Sequence, residues 1–399
     1  MNQLTTPAAV HTADVPTPRI NLALQGGGSH GAFTWGVLDA LLEDGRIDLE
    51  GISGTSAGAM NAVALAHGFA IAEDLSRADR LDAARQALAS FWNGIVDMGA
   101  LTSSLSQMQR APFGILFGQM GVDNWATQLW TDAMKQYWSN ALSPYQRNPF
   151  DINPLKDFLE KQVDFERLGA ARHTHASSTP KVFVVATRVA NGKAEVFSGQ
   201  RLTANAVMAS ACLPMVFQAV EIEGDHYWDG GYSGNPAIHP LIFRCDSRDI
   251  VLVQINPIKR DELPTKPGEI MDRINEITFN ASLIAEMRAI DFVKRLLAEG
   301  RLDPAHYKDV LMHRVDGGEA MDKYSARTKA STDKDLIHAL HDLGVSCGKE
   351  WLDKRFASLG VKSTVNIARD YLDDLRLPVE RAEPVQAPPP TFLPGAGLL

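Results

Sequence analysis

Two strand–turn–helix units follow each other within the first seventy residues, and this order constrains the fold more than any other feature. An apolar run at 20–24 leads into a glycine-rich loop at 26–31 and then into a helical pattern of apolar residues. A second apolar run at 49–53 leads into a tight turn at 54–58 and a second helical pattern. Strands that alternate with helices must run parallel, because each helix carries the chain back along the sheet. The sequence therefore predicts an α/β fold with a mainly parallel central sheet and helices on both faces.

Apolar runs and turn signals place the remaining elements. A long helix is predicted from Ile270 until Gly300 and Pro304 stop it. The Asn191-Gly192 pair is typical of a hairpin turn. Further strands are predicted at 182–187, 194–197, 219–222 and 250–255. These elements predict one domain at 20–378, preceded by a disordered segment at 1–19 and followed by a Pro-rich tail at 379–399.

Two regions of this domain carry no chemical motif. Residues 91–150 hold four of the seven tryptophans and several methionines. They are interpreted either as a helical cap on the core or as a lid that receives an acyl chain, since Trp suits interfaces and Met adapts its shape. Residues 265–378 are predicted as a helical C-terminal extension, which could serve as core cover, a homodimer surface or a membrane-contact region.

Charge and composition exclude several classes of protein. A formal net charge of −9 argues against a nucleic-acid partner, because binding to phosphates needs clustered Lys and Arg. The three cysteines are scattered, so they predict neither a metal site nor a disulfide framework. No signal peptide is predicted in residues 1–19, and no apolar run is long enough to span a bilayer. A cytoplasmic protein without a cofactor is expected, one that would visit a membrane only at its surface.

The turn Gly54-Thr55-Ser56-Ala57-Gly58 is the strongest chemical motif. A strand that turns sharply into a helix strains its middle residue and exposes that residue's side chain at the end of the sheet. Glycines two residues before and after the serine avoid clashes in such a turn. The following helix directs its N–H groups at the reacting carbonyl. Ser56 is therefore predicted to be a nucleophile.

The loop Gly26-Gly27-Gly28-Ser29-His30-Gly31 allows two interpretations. It fits the Gly-x-Gly-x-x-Gly pattern of dinucleotide-binding proteins, but no acidic residue ends the next strand. Because the ends of adjacent parallel strands meet, the loop is instead expected beside Ser56. There its N–H groups could stabilise an oxyanion.

A serine nucleophile needs a base, and the sequence offers histidines and one aspartate in a distinctive setting. His239, His306, His313, His338 and His341 are available, but none has a context that marks it as a base. Asp229, by contrast, ends a predicted strand and precedes Gly230 and Gly231, which let the backbone turn around its carboxylate.

These three motifs together resemble the patatin-like phospholipase family in order and spacing, over about residues 20–245. The resemblance implies a three-layer α/β/α patatin-like fold and a Ser–Asp dyad without histidine. It makes Ser56 the nucleophile and Asp229 the base. Gly26, Gly27 and Gly28 then form the oxyanion hole, with His30 and Gly31 supporting the loop. The family often has Arg or Lys in place of His30. A positive charge at this position would therefore depend on pH, because a histidine is charged only when it is protonated.

The resemblance implies a lipid acyl hydrolase of the phospholipase or lysophospholipase type, active in lipid catabolism or remodelling. Its substrate would be a lipid or other acyl ester. A non-lipid esterase, a thioesterase, a polyester hydrolase or an acyltransferase could use the same dyad. A nucleotide-binding protein is the remaining alternative.

Overall fold

The computed structural model describes residues 17–118, 143–148, 153–170, 179–214, 216–260, 262–324, 328–329 and 331–372. The predicted N-terminal segment, apart from residues 17–19, lies outside these ranges, as does the predicted tail at 379–399. Arg19 already belongs to the first strand.

The centre of the protein is a mixed sheet of eight strands. They are β1 (Arg19–Leu24), β2 (Asp48–Gly54), β3 (Lys181–Arg188), β4 (Ala194–Phe197), β5 (Val220–Ile222), β6 (Asp225–Asp229), β7 (Asp249–Gln254) and β8 (Leu311–Asp316). Their spatial order is β5-β6-β3-β2-β1-β7-β8, and β4 pairs with β3 outside this path. The five strands from β3 to β8 in this order run parallel, whereas β4, β5 and β6 pair antiparallel.

Helices cover both faces of the sheet, as predicted. The longer ones are α1 (Gly31–Asp44), α2 (Ala57–Ile71), α3 (Arg77–Gly118), α9 (Pro267–Ala298) and α11 (Lys334–Arg355). The shorter ones are α4 (Pro144–Arg147), α5 (Pro154–Gln162), α6 (Phe165–Ala170), α7 (Ala204–Ser210), α8 (His239–Arg244), α10 (Gly318–Asp322) and α12 (Ile367–Asp370). Single 3₁₀ turns cover Gly28–His30, Gly199–Arg201, Gly230–Tyr232 and Phe356–Ser358.

Alternation along the central strands separates two apolar layers. Leu22 and Leu24 of β1 face the core formed with α1, α2, α3 and α11, whereas Ala23 faces the core formed with α9. A strand whose two faces are both covered is apolar throughout, which is why β1 reads as a continuous apolar run. The predicted three-layer α/β/α fold with a mainly parallel sheet is confirmed.

The region 91–150 is only partly described. Its first residues belong to α3, where Phe91, Trp92 and Val96 are buried in the core. The Trp92 indole N–H donates to Asn61 Oδ1 on α2 at 3.0 Å. This segment is therefore part of the packed core. Trp125, Trp130 and Trp138, on which the lid interpretation also depended, lie outside the described residues.

The region 265–378 is not wholly helical, in contrast to the prediction. It also supplies β8, which extends the parallel sheet beyond β7. Its helix α11 packs closely on α1, since a methyl group added to Gly344 would meet the Phe33 carbonyl oxygen. Leu340 and Trp351 of α11 are buried in the main core. Of the three roles considered for this region, α11 has that of core cover.

Candidate active site

Ser56 occupies the sharp turn between β2 and α2. Its backbone has φ 53° and ψ −121°, and Glu223 is the only other non-glycine residue with positive φ in the described part of the chain. A non-glycine residue in such a region stores roughly 1–3 kcal/mol of strain. The Ser56 N–H donates to Ser210 Oγ at 2.9 Å. The strained conformation predicted from the motif is therefore present, and surrounding contacts hold it in place.

The two glycines of this turn allow backbone segments to touch. A methyl group on Gly54 would lie 2.7 Å from the Ala59 nitrogen, and one on Gly58 would collide with the carbonyl oxygen of Leu24 in β1. Gly31, at the start of α1, has the same role because a methyl there would lie 2.7 Å from Ala57 Cβ. Any larger side chain would push β1, α1 and α2 apart.

Strand register brings Asp229 level with Ser56. Gly54 of β2 pairs with Val184 of β3, and Ala186, two residues further along β3, pairs with Asp229 of β6. Because residues in register lie side by side across a sheet, the residue two positions after Gly54 meets the last residue of β6. The Ser56 hydroxyl accordingly lies close enough to the Asp229 carboxylate to influence its pKa.

The Asp229 carboxylate is only 2% exposed. Burial raises its pKa to about 7, although hydrogen bonds from the Gly231 N–H and from Ser56 oppose this shift. The Gly231 N–H donates to Oδ1 at 2.7 Å. Phe279 of α9 packs against this turn, 2.9 Å from where a Gly231 methyl would lie. A carboxylate with a pKa near neutrality can accept a proton and release it again at physiological pH.

The turn that follows Asp229 packs against the turn that contains Ser56. A methyl on Gly230 would collide with the Val185 carbonyl oxygen and lie 2.9 Å from Thr55 Cγ2. Thr55 Oγ1 donates to the Gly234 carbonyl at 2.6 Å. The structure thus brings Gly230 and Gly231 together with Ser56.

The glycine-rich loop lies directly against the serine, as the sequence predicted. A methyl on Gly26 would lie 2.8 Å from Ser56 Cβ. The Gly26 N–H, however, donates to Asn235 Oδ1 at 2.7 Å, so it already has an acceptor. Within the described ranges, the N–H groups of Gly27 and Gly28 have no such partner. Gly28 has φ +59°, a conformation that favours glycine.

A buried polar network, which sequence analysis missed, supports this loop. Gln25 Oε1 accepts from the backbone N–H groups of Ile255 and Asn256, both at 2.9 Å. Gln25 Nε2 donates to Asn280 Oδ1 at 3.2 Å. The position of Gln25 directly before the glycines is a sequence signal that could have identified it. Nothing local marks Asn256 or Asn280, because each acts through residues more than two hundred positions away.

His30 holds the loop and is not placed as a base. Its ring is 2% exposed, and Nε2 shares a hydrogen bond of 2.7 Å with Thr328 Oγ1. Burial lowers its pKa to about 4, so the ring is neutral at pH 7 and supplies no positive charge there.

His313, another histidine that the sequence offered, lies far from the candidate site. It pairs with Asp249 at 2.9 Å, and Asp249 begins β7 at the end of the sheet opposite Ser56.

In the described part of the chain, no cluster of three or more His, Cys, Asp or Glu side chains could hold a metal ion. None of the helices there combines the length and apolar character needed to cross a bilayer.

Comparison with known proteins places the motifs in one family. A family model described as "Patatin: Patatin-like phospholipase" matches residues 22–242, more than half of the 399-residue chain. Among solved structures, the chain is similar to one titled "Crystal structure of VipD from Legionella pneumophila", with 18% identity and a TM-score of 0.40. That similarity covers 85% of this chain and 67% of the other. No curated protein sequence matches. The family match includes the glycine loop, Ser56 and Asp229.

Proposed function

This chain belongs to the patatin-like phospholipase family, a family of lipid acyl hydrolases, and we propose that it cleaves acyl esters with a Ser56–Asp229 dyad. One observation carries the proposal: strand register places Ser56 beside a buried carboxylate whose pKa is raised by burial to about 7. An aspartate at its ordinary pKa near 3.9 would be a weak base toward a hydroxyl group. Burial of Asp229 therefore supplies the basicity that a histidine supplies in a triad.

The reaction has two halves. Ser56 Oγ attacks the ester carbonyl carbon while Asp229 takes the hydroxyl proton. The tetrahedral intermediate collapses when its C–O bond to the leaving alcohol breaks, and Asp229 returns the proton to that oxygen. Water then attacks the acyl-enzyme, and Asp229 takes one of its protons and passes it to Ser56 Oγ as the free acid leaves. Asp229 ends each half in its starting ionisation state.

Negative charge on the carbonyl oxygen is stabilised by the glycine loop. The free N–H groups of Gly27 and Gly28 are the proposed donors, and one such donor contributes about 3 kcal/mol to lowering the barrier. The N-terminus of α2, which begins at Ala57, adds the positive end of a helix dipole beside the nucleophile.

A fluorophosphonate probe tests the nucleophile directly. The wild-type protein is expected to be labelled at Ser56, as mapped by mass spectrometry, and Ser56→Ala is expected to remain unlabelled. Ser90→Ala, which changes an exposed serine on α3, is the matched control and should be labelled like wild type. Equal labelling of Ser56→Ala and wild type would refute the proposal.

The dyad specifies acyl transfer through serine but not the acyl donor or acceptor. We propose lipid esters as substrates because of the family, with contact at a membrane surface. A panel of phospholipids, lysophospholipids, glycerides, thioesters and short soluble esters tests this. Preference for short soluble esters over micellar lipid would favour the non-lipid esterase alternative, and transfer to an added alcohol would indicate an acyltransferase. Light scattering with a sizing column tests the homodimer prediction.

A further inference from the structure

A lysine from outside the family match lies against the glycine loop. A methyl group added to Gly28 would collide with the carbonyl oxygen of Lys329, so the two backbones touch. Lys329 follows the matched region by nearly ninety residues. The neighbouring Thr328 hydroxyl meets His30 at 2.7 Å, and Ser29 Oγ donates to the Ser331 carbonyl. This part of the chain therefore fits closely over the loop.

The Lys329 side chain is connected to the glycine loop through the side chain of Asn256. Its Nζ donates to Asn256 Oδ1 at 2.8 Å. Asn256 is fully buried, and its Nδ2 donates to the Gly26 carbonyl oxygen at 2.7 Å. A cation, a side-chain amide and a peptide carbonyl are thus linked in series.

The order of the strands in the sheet determines which way the Gly26–Gly27 peptide points. β7 and β2 lie on opposite sides of β1. Asn256 follows β7, Ser56 follows β2, and Gly26 follows β1 between them. In a trans peptide the carbonyl and the next N–H point in opposite directions. Since the Gly26 carbonyl points toward Asn256, the Gly27 N–H points toward the side on which Ser56 lies.

We infer that Lys329 and Asn256 are positioning residues that orient and polarise the Gly26–Gly27 peptide, so that the Gly27 N–H faces the developing oxyanion. The inference rests on the proposed function, because it concerns the oxyanion hole of that reaction. A hydrogen bond from a cation is stronger than one between neutral groups, and each bond in a chain strengthens the next. Lys329 also supplies a cationic group beside the loop, where His30 is neutral.

The charges around Lys329 are consistent with this role. Burial and the positive charge of Arg260 lower the pKa of Lys329, whereas the negative charges of Glu276 and Asp272 oppose that shift. Glu276 is itself held by Arg260 at 2.7 Å and Arg273 at 3.2 Å. Two arginines therefore hold this carboxylate in place.

Steady-state kinetics on a soluble p-nitrophenyl ester test the inference. Lys329→Met is expected to lower kcat by about tenfold, less than the hundredfold or more that loss of an oxyanion donor costs. KM should stay within about twofold, since orientation of the Gly27 N–H affects the transition state more than substrate binding. Lys329→Arg, which keeps the cation, should recover most of the rate. Lys334→Met, which changes an exposed lysine on α11, is the matched control.

A second variant distinguishes loss of peptide orientation from a folding defect. Asn256→Asp keeps the acceptor for Lys329 but places an oxygen opposite the Gly26 carbonyl, so kcat should fall while the folded state persists. A wild-type kcat in folded Lys329→Met or in Asn256→Asp would overturn the inference. If Ser56 of the wild type were not labelled by the fluorophosphonate probe, the proposed function itself would fail, and the two failures are thereby distinguished.

Discussion

Replacing Asp229 with asparagine should abolish ester hydrolysis and, at the same time, stabilise the protein at alkaline pH. Asparagine has nearly the same shape, and its carbonyl oxygen can still accept the Gly231 N–H. It cannot take a proton from Ser56, so the base is lost. It also removes an ionisable group from a site that is only 2% exposed to water.

The magnitude follows from the pKa of Asp229 in the two states. The unfolded chain ionises this carboxyl near pH 3.9, whereas the folded protein ionises it near pH 7. Between these values the folded state holds one more proton than the unfolded state, so the free energy of unfolding falls as pH rises. A shift of about three units corresponds to about 4 kcal/mol, which is lost in full above pH 7. The neutral asparagine has no such loss.

Urea unfolding at several pH values measures the effect. Asp229→Asn is expected to be more stable than wild type by about 4 kcal/mol at pH 8 and by only about 1.5 kcal/mol at pH 5. Asp225→Asn, on the same strand but with a partly exposed side chain, is the control and should show no such pH-dependent gain. A difference between Asp229→Asn and wild type that is the same at pH 5 and pH 8 would show that the carboxylate is not destabilised by burial.

Three further predictions concern the turn and the far end of the sheet. Ser56→Gly should be about 1 kcal/mol more stable than Ser56→Ala in urea unfolding, because only glycine relieves the positive φ; equal stabilities would contradict strain at this residue. Gly58→Ala should cost about 3 kcal/mol and most of the activity, since its methyl would meet the Leu24 carbonyl, and a wild-type melting temperature would refute this packing argument. Asp249→Ala should cost about 3 kcal/mol by leaving His313 without its acceptor, while the folded enzyme keeps its kcat; a lost kcat would link this end of the sheet to catalysis.

Local sequence patterns were sufficient to predict the turn at Ser56 and the parallel strands. The glycine spacing around Ser56 predicted the strained turn, because few other residues tolerate such close backbone contacts. Continuous apolar runs predicted the parallel strands, since a strand covered on both faces must be apolar throughout. β8 was missed because the region around it was dominated by helical patterns, and its six residues include His313 and Arg314.

The sequence by itself determined the parallel order of β1 and β2, the strained turn at Ser56 and the presence of the three family motifs, because each depends on residues close together in the chain. Only the tertiary structure decided which groups act on the loop. Register across β3 sets Asp229 level with Ser56, and Asn235 accepts a hydrogen bond from the Gly26 N–H. Burial determines the pKa of Asp229. These outcomes depend on hydrogen bonds and desolvation between distant segments, which no local pattern encodes.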